Sequence, residues 1–140
     1  MKSFFDTTKG FIILWMVVFF VGCSSNGSGK GETKSIQIDS EVENTITYEL
    51  GVLKMDDQKE LTLQLQNLLQ VPVVVNDIKG FCGCTMPRFD KEPILPGRSS
   101  EVSIIFMAHQ TGIFNKELKM YLSSQDKPVS IIFNGEIVKR

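Results

Sequence analysis

The sequence predicts an all-β fold, an immunoglobulin-like β-sandwich of about seven strands that follows a signal peptide and a flexible tether. The main observation is that apolar residues from Ile36 onward mostly alternate with polar ones, which is the period of a half-buried strand. In addition, short turn sequences separate the alternating segments, and no long amphipathic helix pattern lies between them. We therefore expect two packed sheets of short strands.

Seven segments carry the strand signal, either as alternation or as a richness in β-branched residues. Leu61, Leu65 and Leu68 would also lie on one face of a helix, so the period of the third segment leaves helix and strand open. The neighbouring segments favour a strand there. In chain order, the predicted strands are 36–38, 46–50, 61–65, 71–78, 102–106, 118–122 and 129–133.

The connections between these segments contain ordinary turn residues. Pro96 and Gly97 predict a type II turn over 95–98, because proline fixes φ at the second position and glycine tolerates the positive φ of the third. Turn residues also cluster at 55–58 and at 124–128. These connections are short enough to keep consecutive strands close together.

An unbroken apolar run at 11–21 follows Lys2 and Lys9. Its length of about 11 residues is typical of the hydrophobic part of a secretory signal, since a membrane-spanning helix needs roughly 20. The run ends in Gly22 and Cys23 and gives way to a Gly/Ser-rich stretch. A small residue before cysteine at this place resembles the lipobox of bacterial lipoproteins, in which the cysteine carries a diacylglycerol and the signal is removed.

This resemblance divides the chain into a signal peptide over 1–22, a lipidated Cys23 with a tether over 23–35, and the sandwich over 36–140. Two or three acyl chains anchor a protein stably, since each buried methylene contributes about 0.8 kcal/mol. The alternative is that 11–21 is a buried core element and Cys23 an ordinary thiol, but a Gly/Ser stretch has no place inside a compact domain. Because no acidic cluster follows Cys23, we expect a lipid anchor in the cell envelope, on the periplasmic side of the outer membrane.

The charge of the chain limits its partners. The full chain has a formal net charge of −1, and the loss of Lys2, Asp6 and Lys9 with the signal removes a net +1 and leaves −2. Since no basic stripe interleaved with aromatic residues is present, we expect no nucleic-acid partner. The expected partners are the membrane, through the lipid on Cys23, and an unknown envelope protein or ligand. We expect no cofactor besides that lipid, apart from the copper(I) alternative described below.

The Cys-Gly-Cys-Thr sequence at 82–85 contains the side chains best suited to reaction or to metal binding. Residues two apart on an extended strand have Cα atoms about 6.6 Å apart, near the upper end of disulfide reach, and Gly83 can bend the chain to bring Cys82 and Cys84 together. A bridge across one residue closes almost no chain, so its entropic stabilisation would be small. With Cys23 acylated, the two thiols can pair only with each other inside the monomer, in a compartment that favours disulfides.

Three interpretations of these thiols remain open. The first is structural, either as two packed side chains or as a strained bridge without a further role. The second is a redox pair, which requires an exposed cysteine with a lowered pKa. The third is a copper(I) site, because Cys82, Cys84 and Met86 project from one face if the chain stays extended, and two thiolates with a thioether suit copper(I) better than zinc. His109 could join them only if the fold brings it there, and a lone histidine beside a turn is more often solvated.

Most of the methionines and of the large aromatic side chains are expected to pack in the core. Met86, Met107 and Met120 are widely spaced, and Met120 falls on a core-facing alternation. In a small sandwich large aromatic side chains mainly fill the interior rather than form a ligand platform. The aromatic residues concerned are Phe81, Phe89, Phe106, Phe114 and Phe133.

The sequence resembles a large bacterial family of secreted lipoproteins known as a domain of unknown function. Its members carry Cys-Gly-Cys-Thr, then Pro-Gly, then Gly-x-Phe-x-Lys, and the spacing fits along roughly 46–138 of this chain. The resemblance implies an immunoglobulin-like sandwich and no established activity. After the matching Asn67 the family usually continues into glycine, whereas Leu68 follows here, so we expect a remodelled turn. The other matching positions are Leu50, Gly51, Cys82, Gly83, Cys84, Thr85, Pro96, Gly97, Gly112, Phe114 and Lys116.

Three classes of function follow from the sequence. The first is a non-catalytic, membrane-tethered module that binds or scaffolds an envelope component, because one histidine and no G-x-S-x-G, H-E-x-x-H or phosphate-binding glycine loop are present. The second is a thiol redox or copper(I)-binding protein that uses Cys82, Cys84 and Met86. The third is an enzyme of another type, since function resides in sites rather than in folds. The sequence favours the first, with no catalytic residue.

Overall fold

The computed structural model of the chain describes residues 31–40, 44–80 and 83–140. Within these ranges the chain forms eight strands, and no helix there is long and apolar enough to span a bilayer. The all-β prediction is therefore confirmed. In chain order the strands are β1 (Glu32–Ile38), β2 (Thr45–Lys54), β3 (Gln58–Asn67), β4 (Val75–Gly80), β5 (Thr85–Phe89), β6 (Ser99–Met107), β7 (Gly112–Leu122) and β8 (Val129–Val138).

The strands form a sandwich of two four-stranded sheets. The first sheet has the order β1-β3-β6-β5 and the second has the order β2-β8-β7-β4. β1 pairs with β3 and β2 pairs with β8 in parallel, whereas the other neighbours are antiparallel. The first two described strands therefore lie on edges of different sheets, β1 in the first and β2 in the second.

The structure adds one strand to the predicted set and changes the extent of several others, as in β7, which begins at Gly112 instead of 118. β5 has no counterpart in the prediction, because Pro87 and Arg88 interrupt any apolar alternation in this short edge strand, where proline is tolerated. β4 begins only at Val75, and Val73 instead forms an isolated bridge with Ile94. β1 begins at Glu32, ahead of the alternation that becomes visible from Ile36.

The core lies between the two sheets and is built from the inward-facing residues of the alternating segments. Phe106, Phe133 and Met120 are almost completely buried, so the prediction that they pack in the core is confirmed. Phe89 packs partly against the core, and Phe81 lies outside the described residues. Burial of such apolar side chains, at about 1.5–3 kcal/mol each, is the main force that holds the sheets together.

Tyr48 shows how a polar group is accommodated in this core. Its ring is completely buried and stacks on Phe133 with 5.7 Å between ring centroids. The hydroxyl donates a hydrogen bond of 2.9 Å to the carbonyl oxygen of Thr62, which joins β2 of the second sheet to β3 of the first. Burial raises the pKa of Tyr48 to about 12, because ionisation would leave a charge away from water, and Glu32 adds to the shift.

Backbone hydrogen bonds close one end of the sandwich, which we call the lower end. The Met55 amide donates to the Val138 carbonyl, and the Asp56 amide donates to the Ala108 carbonyl, with distances of 2.9 and 2.7 Å. These bonds join the β2–β3 turn to the last residue of β8 and to the residue after β6. β1 also begins at this end, since Glu32 lies beside Leu61 near the start of β3.

The opposite, upper end contains the predicted type II turn. Gly97 has φ of 73°, and the Arg98 amide donates a hydrogen bond of 2.9 Å to the Leu95 carbonyl, so the prediction for 95–98 is confirmed. This turn is joined to the end of β3, because the Gly97 amide also donates to the Asn67 carbonyl at 2.8 Å. The motif positions Asn67, Pro96 and Gly97 thus belong to one region, in which a hydrogen bond joins the turn to the end of β3.

Candidate functional site

A cleft of about 560 Å³ opens at the lower end of the sandwich. Its walls are the end of β6, the connection over 108–111, the start of β7, and the turn that contains Gly83 and Cys84. Ile137 of β8 closes one side. A volume of this size lies within the usual range for ligand sites in proteins.

The floor of the cleft is apolar and rigidly packed. Phe106 and Phe114 are buried, and their rings stack with 4.9 Å between centroids at an angle of 22°. Gly112 has φ of 122°, which disfavours any side chain at the first residue of β7. From there the strand alternates, so that Phe114 faces the core and Ile113 faces outward, with 89% of its surface exposed. A large aliphatic group is therefore presented to solvent beside an aromatic floor.

Cys84 forms part of the cleft wall and is disulfide-bonded. It lies in a turn immediately before β5, half-buried against the core. Its carbonyl accepts a hydrogen bond of 2.8 Å from the Met107 amide, which extends the β5–β6 pairing by one residue. The backbone of Cys84 is therefore held by β6 as well as by the sulfur bond.

Of the three predicted thiol or metal residues, the structure describes Cys84 and Met86. Met86 lies on β5 with 43% of its surface exposed, whereas Cys84 is half-buried in the preceding turn. Cys82 lies outside the described residues, as does the predicted lipidation site Cys23. Among the residues that the structure describes, no cluster of three or more His, Cys, Asp or Glu side chains could hold a metal ion. The copper(I) hypothesis for Cys82, Cys84 and Met86 stays a prediction.

Two groups capable of charge lie in the same cleft as Cys84. His109 is exposed in the connection after β6, as expected for a lone histidine beside a turn. The sequence did not predict that it lines the same cleft as Cys84. Lys116, on β7, is half-buried and lines the same space. The cleft therefore combines a disulfide, an imidazole and an ammonium group above an aromatic floor.

Thr85 is the motif residue next to Cys84, and its hydroxyl is unusual. The Oγ1 atom is buried and has no hydrogen-bond partner among the described residues. Leaving such a group unpaired costs about 1–3 kcal/mol, so the position is not optimised for stability alone. Gly80 is packed close to it, since a Cβ added there would lie 3.4 Å from this hydroxyl.

Eight of the eleven described motif positions fall into two separate groups in the structure. Gly83, Cys84, Gly112, Phe114 and Lys116 all line the cleft at the lower end. The remaining group, built around Pro96, Gly97 and Asn67, lies at the upper end. The sequence motif contained the residues of the first group, but it did not indicate that they line one cleft. His109 and Ile113 were not among the residues that define the motif. The residue pattern at 112–114, a glycine before two large apolar residues, is the signal that marks Ile113 in retrospect.

The fold is similar to those of several solved structures at low sequence identity. The secreted serine protease VesC from Vibrio cholerae matches at 12% identity with a TM-score of 0.50, over 64% of this chain and 21% of the protease, so the chain spans about a fifth of that protein. PbICP-C, solved in complex with falcipain-2, matches at 12% identity and a TM-score of 0.42, over 76% of this chain and 99% of PbICP-C. A multi-copper oxidase from Pseudomonas Thermotolerans matches at 15% identity and a TM-score of 0.37, over 79% and 30%. The likeness to VesC shows the fold alone.

At the level of sequence, the chain matches a family of proteins rather than an individual curated protein. No curated protein matches it. A family model described as "Protein of unknown function (DUF1573)" matches residues 40–137, which is more than half of the chain. The matched range contains every strand except β1 and the last residue of β8.

Proposed function

The chain belongs to the family of proteins of unknown function described as DUF1573, and from this premise we propose that it is a non-catalytic binding module, held at a bacterial membrane by lipid on Cys23, that takes a polypeptide segment into its cleft. The observation that carries the proposal is the cleft itself. It is large enough for several side chains and has a floor formed by Phe106 and Phe114.

The rim of the cleft favours a partner with an apolar side chain. Ile113 is 89% exposed, the highest value among the exposed large hydrophobic residues of the described part. Covering it would contribute about 1.5–3 kcal/mol, which is a useful fraction of the free energy of a moderate protein interaction. His109 and Lys116 add polar contacts at the wall. An apolar residue flanked by polar backbone is the chemistry of an exposed polypeptide segment, so this is the ligand class that fits.

The path of the chain relates the cleft to the proposed anchor. β1 begins at the lower end, and Gly31 packs so closely on the backbone of Glu60 that a Cβ there would overlap its carbonyl oxygen. Residues 24–30 can bridge at most roughly 30 Å between Cys23 and Gly31 when fully extended. If Cys23 carries lipid, the cleft therefore lies on the side of the domain nearest the membrane. The partner expected from this arrangement is another component of the same membrane surface.

Site-specific photocrosslinking in living cells tests the binding site. A photoreactive benzoylphenylalanine at Thr111, an exposed residue of the cleft wall, is expected to give a discrete crosslinked product with an envelope protein. The matched control is the same side chain at Leu95, which is 54% exposed at the upper end and is expected to give no such product. Identical products from both positions, or none from Thr111, would contradict the proposed site.

The anchor makes a separate prediction. Intact-mass measurement of the membrane-extracted protein is expected to show a chain that begins at Cys23 and carries acyl groups, and Cys23→Ala is expected to abolish both the cleavage and the acylation. The reason is that the thiol of this residue is the acceptor of the diacylglycerol in the lipoproteins that the N-terminus resembles. Recovery of an unmodified chain that still bears Met1 would refute the anchor and leave the crosslinking result to be judged by itself.

A further inference from the structure

We propose that the partner segment binds in the cleft as an added β-strand, hydrogen-bonded to the open edge of β7 at Ile113 and Asn115. The inference rests on the proposed function, because the same cleft holds the ligand, and it adds the conformation of the segment and the backbone groups that hold it. Addition of a strand to a sheet edge is a common way to bind extended polypeptide. It requires an edge without a partner strand, backbone groups directed toward that edge, and space for side chains.

β7 is longer than the strand that covers one of its two sides. β8 pairs with almost the whole of β7, whereas the pairing with β4 ends at Leu118, which lies opposite Gly80. At Cys84 the chain already belongs to the other sheet, since the Cys84 carbonyl accepts a hydrogen bond from the backbone of β6. Among the described residues, no strand therefore pairs with Ile113 and Asn115 on the β4 side of β7.

The cleft runs along this open edge. Its lining contains five consecutive residues of β7, 112–116. Successive side chains of a strand point to opposite faces of the sheet, so a pocket on one face would touch only every second residue. Contact with all five residues indicates that the cleft exposes the edge of β7, where the backbone groups lie. The open edge and the proposed binding site are therefore in the same place.

The backbone groups of Ile113 and Asn115 are directed toward the open edge. The Ser123 amide, just beyond β7, donates a hydrogen bond of 2.9 Å to the Val74 carbonyl, so Ser123 faces β4. In an extended strand, alternate residues direct their amide and carbonyl groups to the same side. β7 itself has no bulge, since the extra residue of its pairing with β4 lies in β4. The odd-numbered residues of β7 therefore all face the β4 side.

The pairing on the opposite side of β7 agrees with this assignment. The Ser130 amide of β8 donates to the Asn44 carbonyl at 2.7 Å, so the even-numbered residues of β8 face β2. The odd-numbered residues of β8 face β7, and they lie opposite the even-numbered residues of β7. The bonds to β8 thus use the even-numbered residues of β7. The amide and carbonyl groups of Ile113 and Asn115 remain available to an added strand.

The side chains around the edge indicate what the added strand carries. A residue that points inward would pack beside Phe114 on the aromatic floor, and one that points outward would lie beside the exposed Ile113. Lys116 and His109 also line the cleft, and the described lining contains no aspartate or glutamate. The occupant that fits is therefore an extended segment of another protein that carries β-branched or other apolar residues and a carboxylate.

The first test removes one donor from the edge and follows the crosslink through Thr111 in cells. Asn115→Pro deletes an amide that faces the added strand and keeps the pairing with β8, and proline is tolerated where a strand N–H has no partner. The crosslinked product is expected to fall by about tenfold or more through loss of this bond and obstruction of the edge. The matched control is Gln37→Pro on the edge strand β1, with no change expected. Gln37 faces away from β3, because the neighbouring Ile38 carbonyl accepts from the Leu68 amide.

Amide hydrogen exchange of the mature protein tests the edge without any partner. The amides of Phe114 and Lys116 are bonded to β8 and are expected to exchange at least about tenfold more slowly than those of Ile113 and Asn115. Nuclear magnetic resonance of the isotope-labelled protein measures each amide separately. Equal protection of all four amides would show that the chain itself already covers the edge, and this result would overturn the inference.

A synthetic probe tests the bonding pattern. The probe is the fluorescein-labelled peptide Thr-Val-Thr-Val-Glu, together with one form N-methylated at both valines and one N-methylated at both threonines. Because alternate residues of a strand direct their amides to the same side, one form loses its donors to β7 and the other keeps them. Fluorescence polarisation is expected to give dissociation constants that differ by about tenfold or more. Lysine in place of the glutamate is expected to weaken binding by about threefold. Equal constants for the two methylated forms, or no binding of the unmodified peptide at millimolar concentration, would overturn the inference.

The outcomes in cells separate this inference from the proposed function. A product through Thr111 that persists in folded Asn115→Pro would leave the proposed function intact and remove only the added strand. A product that contains two copies of this chain would replace the foreign segment by self-association and overturn the inference. No product in the wild type would contradict the proposed function itself. If circular dichroism shows that Asn115→Pro does not fold, the exchange pattern and the methylated peptides decide.

Discussion

Replacing Asn67 by alanine is expected to lower the free energy of unfolding by about 2–4 kcal/mol, because it removes three side-chain hydrogen bonds at once. The side chain is completely buried, and Asn67 is the one buried polar or charged residue among those that the structure describes. Its Nδ2 atom donates to the carbonyls of Val71 and Ile94, both at 2.8 Å, and its Oδ1 atom accepts from the Leu69 amide at 2.9 Å. Alanine would remove all three bonds, whereas the Ile94 carbonyl would keep its bond of 3.0 Å from the Val73 amide.

The backbone of Asn67 also holds the upper end together, through bonds that alanine would keep. Its amide donates to the Arg98 carbonyl at 2.9 Å and its carbonyl accepts from Gly97, so one residue joins the end of β3 to two loops. The side chain also explains how the chain turns without the glycine that the family usually has. The Leu69 amide bonds to the carboxamide oxygen of Asn67, and this side-chain turn replaces the backbone freedom of a glycine.

Urea denaturation followed by far-ultraviolet circular dichroism measures the change for Asn67→Ala. The matched control is Asn115→Ala, since Asn115 is exposed and makes a single side-chain bond of 2.6 Å to Asn134. The control is expected to cost no more than about 1 kcal/mol. Equal losses for the two variants would show that the Asn67 bonds do not stabilise the upper end.

Sequence reasoning identified the strands whose residues alternate and missed the strand whose residues do not. β3 and β6 are recognisable because their inward residues, such as Leu63 and Ile104, are apolar and their neighbours polar. β5 is recognisable only from its pairing with β6, because Pro87 breaks the pattern and edge strands need not bury either face fully. The role of Asn67 was equally hidden, since an asparagine at the end of a strand indicates only a turn.

The candidate site could be predicted in parts but not as a unit. Cys84 stood out by its chemistry, and Gly112, Phe114 and Lys116 by family resemblance. That these residues meet depends on the pairing of β5 with β6 and on the connection that returns from β6 to β7, which are long-range contacts with no local signal. His109 illustrates the limit, because a lone histidine near a turn is correctly expected to be exposed, yet its place in the cleft that Cys84 also lines cannot be read from the sequence.

Removing the ring of Phe106 is expected to have an effect of similar size to the loss of Asn67, but at the opposite end of the molecule. Phe106 is 1% exposed, stacks on Phe114, and lies 6.2 Å from Phe133 between ring centroids. Phe106→Ala is expected to lower the free energy of unfolding by about 3–5 kcal/mol, since it removes buried surface and leaves a cavity that the paired strands cannot close. The urea midpoint measures the loss. Phe89→Ala is the matched control, because Phe89 packs only partly against the core, and about 1–2 kcal/mol is expected there.

A smaller substitution links this packing to the cleft. Phe106→Leu is expected to cost less than about 2 kcal/mol and to remain folded, because it keeps an apolar side chain in the same place. It removes one of the two rings of the floor and releases the Phe114 ring from its stack, so crosslinking through Thr111 is expected to fall while membrane anchoring is unchanged. Unaltered crosslinking in a folded Phe106→Leu protein would show that the ligand contacts only the rim of the cleft. The binding surface would then lie around Ile113 and His109 rather than in the depth of the cleft.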